Sequence, residues 1–167
     1  MRRFSLRNLF KRSSTADATT ERRKRPRPDN GYDITILVVD DSPTVIAAFT
    51  KVLTQAGFQV ITAMNGEDGV SKAKAERPDL ILMDVVMPGI NGYQATRQLR
   101  QESMTADTPI IIVSGEQQST EQMWGRKAGA NGFISKPIDR DAFFGKIFEC
   151  LGEDRLRAKS TDSRDPG

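Results

Sequence analysis

Histidine is absent from this chain of 167 residues, and cysteine occurs once, as Cys150. The lack of histidine excludes nucleophiles activated by a histidine base, zinc sites with histidine ligands and phosphorylation of this chain on histidine. A single cysteine excludes an internal disulfide and is typical of a reducing compartment. No run of about 18 apolar residues is present, so we expect no transmembrane helix and a cytoplasmic protein. Any chemistry must therefore use Asp, Glu, Lys, Ser or Thr side chains.

The excess of positive charge is confined to the first 30 residues. The whole sequence has a net charge of +3, from 25 Lys and Arg against 22 Asp and Glu. Residues 1–30 hold 10 Lys and Arg against 3 Asp and Glu, a net charge of +7, which leaves −4 for residues 31–167. The basic isoelectric point therefore arises from the first 30 residues and does not predict a nucleic-acid-binding domain. A basic arm alone gives nonspecific, salt-sensitive affinity, so we expect no specific nucleic-acid binding.

The ends of the chain differ in composition from its centre and predict one domain with two appendages. Residues 1–32 carry too few apolar residues to bury a core and predict a basic, disordered extension. Within it, residues 1–12 mix basic and apolar side chains, so weak contact with an anionic membrane or a partner through a short amphipathic helix is an alternative. The folded domain is predicted over residues 33–151, and residues 152–167 predict a disordered tail.

The central region alternates five times between a strand pattern and a helix pattern. The apolar runs that predict strands are Ile34–Val39, Phe58–Thr62, Leu80–Met83, Pro109–Val113 and Asn131–Ser135. Helical patterns follow over residues 43–56, 66–76, 93–102, 120–127 and 140–151, with Ser42, Asn65, Ser119 and Asp139 as N-caps. Alternating units of this length predict an α/β fold, with a parallel sheet, helices on both faces and right-handed crossovers.

Chemically active side chains stand at the carboxyl ends of four of the five predicted strands. The first strand is followed by Asp40 and Asp41, the third by Asp84, the fourth by Ser114 and the fifth by Lys136. Ligands of an open α/β sheet bind beyond these strand ends, so we expect the five side chains to share one pocket. The alternative is that the Asp40–Asp41 pair caps the following helix, with only one acid pointing inward.

Three carboxylates at one edge repel one another, since a like pair about 4 Å apart costs on the order of 4 kcal/mol at an effective dielectric constant of about 20. A fold that keeps such a cluster needs a cation, and oxygen ligands without histidine or cysteine favour Mg²⁺ or Mn²⁺. We expect Asp41 and Asp84 as direct ligands and Asp40 as a ligand or a contact through water. The main-chain carbonyl of Val86 is expected to complete the shell.

A carboxylate attacks a phosphoryl donor without first losing a proton, which makes Asp84 the candidate nucleophile. Phosphoryl transfer then requires charge neutralisation and in-line positioning. We expect the Lys136 ammonium and the metal ion to flank the phosphoryl oxygens, and the Ser114 hydroxyl to donate a hydrogen bond to them. A phosphohydrolase with an aspartate nucleophile would need Asp-x-Asp after the first strand, whereas this sequence has an adjacent acid pair, which excludes that class.

These residues and their surroundings resemble the CheY-like receiver domain over about residues 33–151. The matching motifs are Asp40-Asp41-Ser42, Leu82-Met83-Asp84, Met87-Pro88, Asn91-Gly92, Ser114-Gly115 and Lys136-Pro137. The resemblance implies a flavodoxin-like, doubly wound sheet of five parallel strands in the order 2-1-3-4-5. It also implies phosphorylation of Asp84 by a partner histidine kinase or its phosphotransfer domain, with hydrolysis as the reset.

Two segments are similar to the PilH-type regulators of type IV pilus twitching motility. They are Leu82 to Leu99, and Trp124-Gly125-Arg126-Lys127 leading to Gly129-Ala130. This similarity implies a single-domain response regulator that signals by protein contact in type IV pilus or chemotaxis-like motility control. Such a protein is not an enzyme for other substrates, since it catalyses only its own phosphorylation and dephosphorylation. The same resemblance leaves two other roles open, a phosphate sink for a shared kinase and a phosphorylation-independent binding module.

The resemblance also implies how a phosphoryl group would change a distant surface. Ser114 would swing toward the phosphoryl oxygens, and Phe133 would rotate into the vacated space. The face formed by the fourth helix, fifth strand and fifth helix would then contact a target protein, with Met123 and Trp124 as candidate contacts. The alternatives are that Phe133 is a fixed core aromatic and that Met123 and Trp124 pack in the core.

Overall fold

A computed structural model describes residues 10–11, 32–115 and 119–161, and its main body is a series of five strand–helix units. The strands are β1 (Thr35–Val39), β2 (Gln59–Ala63), β3 (Leu80–Asp84), β4 (Ile110–Ser114) and β5 (Gly132–Ser135). The helices are α1 (Pro43–Gln55), α2 (Gly66–Glu76), α3 (Gly92–Gln101), α4 (Ser119–Ala128) and α5 (Arg140–Thr161). The predicted alternation is confirmed, and each strand lies within one residue of its predicted ends.

The five strands form one parallel sheet in the order β2-β1-β3-β4-β5. Parallel neighbours need a crossover connection, and the helices that supply it cover both faces of the sheet. The predicted fold class and strand order are confirmed. The strand order reverses between β1 and β3, and this is where a crevice opens at the carboxyl edge of a doubly wound sheet.

The apolar core lies in two layers, one on each face of the sheet. Along β1, Ile36 and Val38 face the layer shared with α1 and α5, whereas Leu37 and Val39 face the layer shared with α2 and α3. Successive side chains of a strand point to opposite faces, so a strand buried on both sides must be apolar throughout. This explains the unbroken aliphatic runs of the sequence and leaves the polar side chains of the three central strands, β1, β3 and β4, at the strand ends.

Side-chain caps determine where four of the helices begin, including α5, where Asp139 Oδ1 accepts from the Ala142 amide at 2.9 Å as predicted. Ser42 and Asn65 accept hydrogen bonds from the amides three residues on, at 3.4 and 2.7 Å, as the sequence predicts for α1 and α2. At α3, Asn91 and Gln94 each accept from the backbone amide of the other, both at 2.9 Å. This capping box was not predicted from the sequence, and with it α3 begins at Gly92, one residue earlier than predicted.

The last helix continues past the predicted end of the domain. α5 is interrupted at Gly152, whose φ of 72° and ψ of 153° are not helical, and helical backbone then resumes. Beyond the break, Arg155 Nη1 donates to the Asp79 carbonyl oxygen at 3.2 Å, and Leu156 packs against the α1–α5 layer. Because of these contacts, residues 153–161 are helical where the sequence predicts a disordered tail. The domain boundary at residue 151 stays a prediction.

Three residues of the N-terminal extension are described, and one of them, Tyr32, stacks on the Phe58 ring with centroids 5.0 Å apart, which corrects the prediction of disorder at that residue. Phe10–Lys11 is extended and pairs in parallel with Ile138–Asp139, just before α5. The predictions of disorder or an amphipathic helix for the rest of the extension lie outside the described residues. No helix in the described part of the chain has the length and apolar content that a membrane crossing requires.

Removal of the Phe143 ring should destabilise the domain more than removal of its neighbour Phe144. Phe143 is fully buried, with its ring centroid 5.5 Å from that of Phe49, whereas Phe144 is partly buried. We expect Phe143→Ala to lower the free energy of unfolding by about 3–5 kcal/mol, because it leaves a core cavity. Phe144→Ala is the control and should cost roughly half as much. Urea denaturation measures both, and equal losses would contradict this packing.

Candidate functional site

Polar residues end four neighbouring strands at the carboxyl edge of the sheet, where Asp40, Asp41, Asp84 and Lys136 form one pocket. Asp40 follows the last residue of β1, Asp84 ends β3, Ser114 ends β4, and Lys136 follows the last residue of β5. Asp40, Asp84 and Ser114 are buried, with exposed fractions of 3, 9 and 3%. Two acidic side chains are therefore buried at the point where the strand order reverses, although polar side chains usually stay in contact with water.

Three carboxylates lie together in this pocket. One carboxylate oxygen from each of Asp40, Asp41 and Asp84 lies within 4.8 Å of the other two, and Asp41 is exposed to solvent. The Ser42 amide donates to Asp40 Oδ1 at 2.9 Å, which satisfies one lone pair of that acid. The alternative in which only one acid of the pair points inward does not describe this geometry.

Lys136 is the cation that faces the two buried acids. Its Nζ lies 3.5 Å from Asp40 Oδ2 and 3.5 Å from Asp84 Oδ1, and its side chain is 17% exposed. The Lys136 amide donates to the Ser114 carbonyl oxygen at 2.7 Å, and the Lys136–Pro137 peptide bond is cis. One ammonium group therefore balances part of a cluster that carries three negative charges when fully ionised.

Burial and mutual repulsion raise the pKa of the two inner acids. The pKa of Asp84 rises from 3.8 to about 6, chiefly through burial and then through the charge of Asp40, and the Lys136 ammonium opposes the rise. The pKa of Asp40 is also raised, chiefly by burial, against the hydrogen bond from Ser42 and the charge of Lys136. Both carboxylates are thus less stable as anions than they would be in water.

The donor set fits a hard divalent cation. It consists of carboxylate oxygens alone, two of them on buried acids whose ionised forms are disfavoured, and a dication would relieve that penalty. Asp40, Asp41 and Asp84 are the residues that would hold Mg²⁺. Val86 lies two residues after Asp84 in the loop that follows β3, and the ligand role of its main-chain carbonyl stays a prediction.

The loop between β3 and α3 is held by contacts that the sequence analysis did not predict. The Gly92 amide donates to the Val85 carbonyl oxygen at 2.9 Å, and a Cβ at Gly92 would lie 2.1 Å from the Asp84 carbonyl oxygen. Only glycine therefore lets α3 approach the end of β3 this closely. From α2, Glu67 Oε1 accepts from the Ile90 amide at 3.1 Å and so fixes the far side of the loop.

Ser114 makes a contact that the sequence analysis missed. Its hydroxyl donates to the Glu121 carboxylate on α4. The carbonyl oxygen of the same Glu121 accepts from the Tyr93 hydroxyl at 3.3 Å. Nothing in the sequence marks Glu121, because an acidic residue in the first turn of a helix is usual and favourable there in itself.

The face formed by α4, β5 and α5 carries exposed apolar side chains. Met123 and Trp124 are 45 and 47% exposed, so the alternative that they pack in the core is wrong. Phe133 is half-buried and packs against the α2–α3 core layer. It also lines a groove of about 270 Å³ with Arg126 of α4 and Lys146 of α5. The role of Phe133 as a moving switch residue stays a prediction.

Comparisons with known proteins agree with this geometry. The sequence profile of the response regulator receiver domain matches residues 36–148. Protein PilH of Pseudomonas aeruginosa is 47% identical over 116 residues, which are 70% of this chain and 96% of PilH. The solved structure of chemotaxis protein CheY4 from Vibrio cholerae is 29% identical, with a TM-score of 0.67 over 70% of this chain and 98% of that one. A CheX–CheY–BeF3–Mg²⁺ complex from Borrelia burgdorferi holds a chain 26% identical, with a TM-score of 0.67 over 72% of this chain and 90% of that one.

Neutralising Asp84 should stabilise the metal-free protein more at high pH than at low pH. The native pKa of about 6 exceeds the ordinary 3.8, so the folded state holds a proton that the unfolded chain has lost between these values. The stabilisation that the folded state gains by holding this proton on Asp84 is complete below the pKa of Asp84 in the unfolded chain. It is lost as the pH rises through about 6, the pKa in the folded state. We expect Asp84→Asn to raise the free energy of unfolding by about 2–3 kcal/mol at pH 8 and by less than about 1 kcal/mol at pH 4.

Urea denaturation in EDTA at pH 4, 6 and 8 measures this difference. Asp154→Asn is the matched control, since Asp154 is exposed on α5 and its neutralisation should change stability little at any of these pH values. A stabilisation by Asp84→Asn that is the same at pH 4 and pH 8 would contradict the described electrostatics of the pocket.

Proposed function

Because this chain belongs to the response regulator receiver domain family, we propose that it accepts a phosphoryl group on Asp84 from a histidine kinase or a phosphotransfer domain. The observation that carries the proposal is the position of Lys136 Nζ, 3.5 Å from carboxylate oxygens of both Asp84 and Asp40. The similarity to PilH over nearly all of that protein supports a role in type IV pilus or chemotaxis-like motility control.

In the proposed reaction an Asp84 carboxylate oxygen attacks phosphorus and forms a new P–O bond. The bond between phosphorus and the donor nitrogen breaks, and the nitrogen keeps that electron pair. Asp84 is ionised at neutral pH, since its pKa of about 6 lies below 7, and it therefore needs no base. Hydrolysis of the acyl phosphate by water later returns the carboxylate and releases phosphate. The chain acts as a signalling protein that catalyses only these steps on itself.

The pocket supplies positive charge and hydrogen bonds where the transferred group would sit. The Lys136 ammonium, already placed against Asp84, would pair with a phosphoryl oxygen, and the Ser114 hydroxyl would donate to another. A bound Mg²⁺ would supply the remaining positive charge, held by Asp40, Asp41 and Asp84 with the Val86 carbonyl oxygen. The BeF3 and Mg²⁺ named in the Borrelia burgdorferi complex support a site of this chemistry in the family.

The output of the switch is proposed to be contact between the α4–β5–α5 face and a target protein. Ser114 and Phe133, the proposed switch residues, are on the neighbouring strands β4 and β5, where Ser114 pairs with Ser135 and Phe133 pairs with Ile112. The exposed Met123 and Trp124 favour a protein target over a pure phosphate sink, because apolar side chains of this size at a surface are typical of protein contacts. The intact acid and lysine set argues against a phosphorylation-independent module.

Incubation with a small phosphodonor and Mg²⁺ tests the proposed phosphorylation site. We expect the wild-type intact mass to increase by one phosphoryl group, and Asp84→Asn to gain none, because the variant lacks the carboxylate that attacks phosphorus. Asp154→Asn should be labelled like wild type. In EDTA the labelling rate should fall by at least about tenfold, because the charge of the transferred group is then less well neutralised. Labelling of Asp84→Asn to the same extent as wild type would contradict the proposal.

Mg²⁺ should stabilise the folded protein even without a phosphodonor. A ligand that binds only the folded state at about 100 times its dissociation constant adds about 2.7 kcal/mol. We expect the melting temperature of wild type to rise with millimolar Mg²⁺, and Asp41→Asn to lose most of this rise. Asp154→Asn again serves as the control for lost charge. A melting temperature that does not change with Mg²⁺ would contradict the metal site.

A further inference from the structure

The Ser114 hydroxyl is bonded to a side chain of α4. It donates to the carboxylate of Glu121 in the first turn of α4, and Ser114 is 3% exposed while Glu121 is half-buried. Ser114 is also joined to the pocket through its backbone, where its carbonyl oxygen accepts from the Lys136 amide at 2.7 Å. A rotation of the Ser114 side chain alone would break its bond to α4 and leave the backbone bond to Lys136 in place.

A serine hydroxyl has a single hydrogen to donate. Glu121 and an aspartyl phosphate are both anionic acceptors, so the hydroxyl serves one of them at a time. A charge-assisted hydrogen bond is roughly twice as strong as a neutral one, which makes this a competition between two strong acceptors. A hydrogen bond from Ser114 to a phosphoryl oxygen and the Ser114–Glu121 bond are for this reason mutually exclusive.

Glu121 is also the residue through which α4 is tied to α3. Its carbonyl oxygen accepts from the Tyr93 hydroxyl at 3.3 Å, so side chain and main chain of one residue link α4 to β4 and to α3. One turn further, Gly125 packs close enough that a Cβ there would lie 3.8 Å from the Tyr93 ring and 3.9 Å from the Phe133 ring. Loss of the Glu121 side-chain bond would remove one of the two contacts by which Glu121 ties the first turn of α4 to the rest of the domain.

We propose that Glu121 is a positioning residue that holds the Ser114 hydroxyl away from the phosphoryl site, and that phosphorylation breaks this bond and releases the first turn of α4. This inference rests on the proposed phosphorylation of Asp84. It adds a coupling that runs in both directions, as linkage requires. A partner that binds α4 in its released position stabilises the phosphorylated state, and the phosphoryl group strengthens binding of that partner by the same factor.

The test is a double-mutant cycle on Ser114 and Glu121. Trifluoroberyllate with Mg²⁺ serves as a noncovalent stand-in for the phosphoryl group, and its affinity is measured by the fluorescence of Trp124, the single tryptophan of the chain. Glu121→Ala should bind it on the order of tenfold more tightly than wild type, as expected when one hydrogen bond to a charged group no longer competes. Ser114→Ala should bind it more weakly. With Ser114→Ala already present, Glu121→Ala should change the affinity by less than about twofold.

Two further variants separate the hydrogen bond from other effects of Glu121. Glu121→Gln removes the charge but keeps an oxygen that accepts from Ser114, so its affinity should lie closer to wild type than to Glu121→Ala. Equal tightening by Gln and Ala would mean that the charge alone acts, and would overturn the proposal. Glu76→Ala, at an exposed position of α2, is the matched control and should bind like wild type.

Amide hydrogen exchange provides a second measurement that does not need the phosphoryl site. In the ligand-free protein, Ser114→Ala and Glu121→Ala should each speed exchange in residues 121–128 by a similar factor, and Glu76→Ala should not. Unchanged exchange in both variants would refute the role of Glu121, and so would affinity effects of the two substitutions that are additive in the cycle. Binding of trifluoroberyllate by wild type would still support the phosphorylation site in either case. Failure of wild type to bind trifluoroberyllate would instead refute the site itself.

Discussion

The rest of the structure depends on the charge balance between two buried acids and the one lysine that faces them. Asp40 and Asp84 are buried beside the exposed Asp41, and Lys136 Nζ faces the two buried carboxylates at 3.5 Å from each. A single ammonium cannot balance three ionised acids, which is why burial leaves the pKa of Asp84 raised to about 6. The unbalanced charge favours binding of a divalent cation, which in the proposed function would help the pocket to accept an anionic phosphoryl group.

The fold explains how such an unfavourable cluster is kept. Parallel strands that are apolar on both faces bring their carboxyl ends to one edge, and the core layers on either side stabilise the sheet independently of the pocket. Gly92 and Glu67 fix the loop after β3 from opposite sides, so the surroundings of Asp84 are rigid where α3 begins. Ser114 differs, since its hydroxyl is bonded to α4, the helix that also presents Trp124 at the surface.

The sequence predicts most of this arrangement, and the parts it does not predict share a cause. Strand ends are marked by a change from aliphatic to polar residues, so Asp40, Asp84 and Lys136 were identified from their positions alone. The capping box of Asn91 was missed because its partner is recognised only once the helix start is known. Glu121 depends on how α4 lies against β4, a tertiary relation with no local signal. The helical residues after Gly152 likewise depend on contacts with distant parts of the chain.

The most direct measurement is anomalous diffraction from crystals of the full chain grown with Mn²⁺, which has the same preference for oxygen ligands as Mg²⁺ and is located by its own scattering. The electrostatic account predicts one strong peak between the carboxylates of Asp40, Asp41 and Asp84, absent from crystals of Asp84→Asn. A structure in which Mn²⁺ at saturating concentration avoids these acids, with Lys136 still between Asp40 and Asp84, would show that no dication is needed there and would contradict the account.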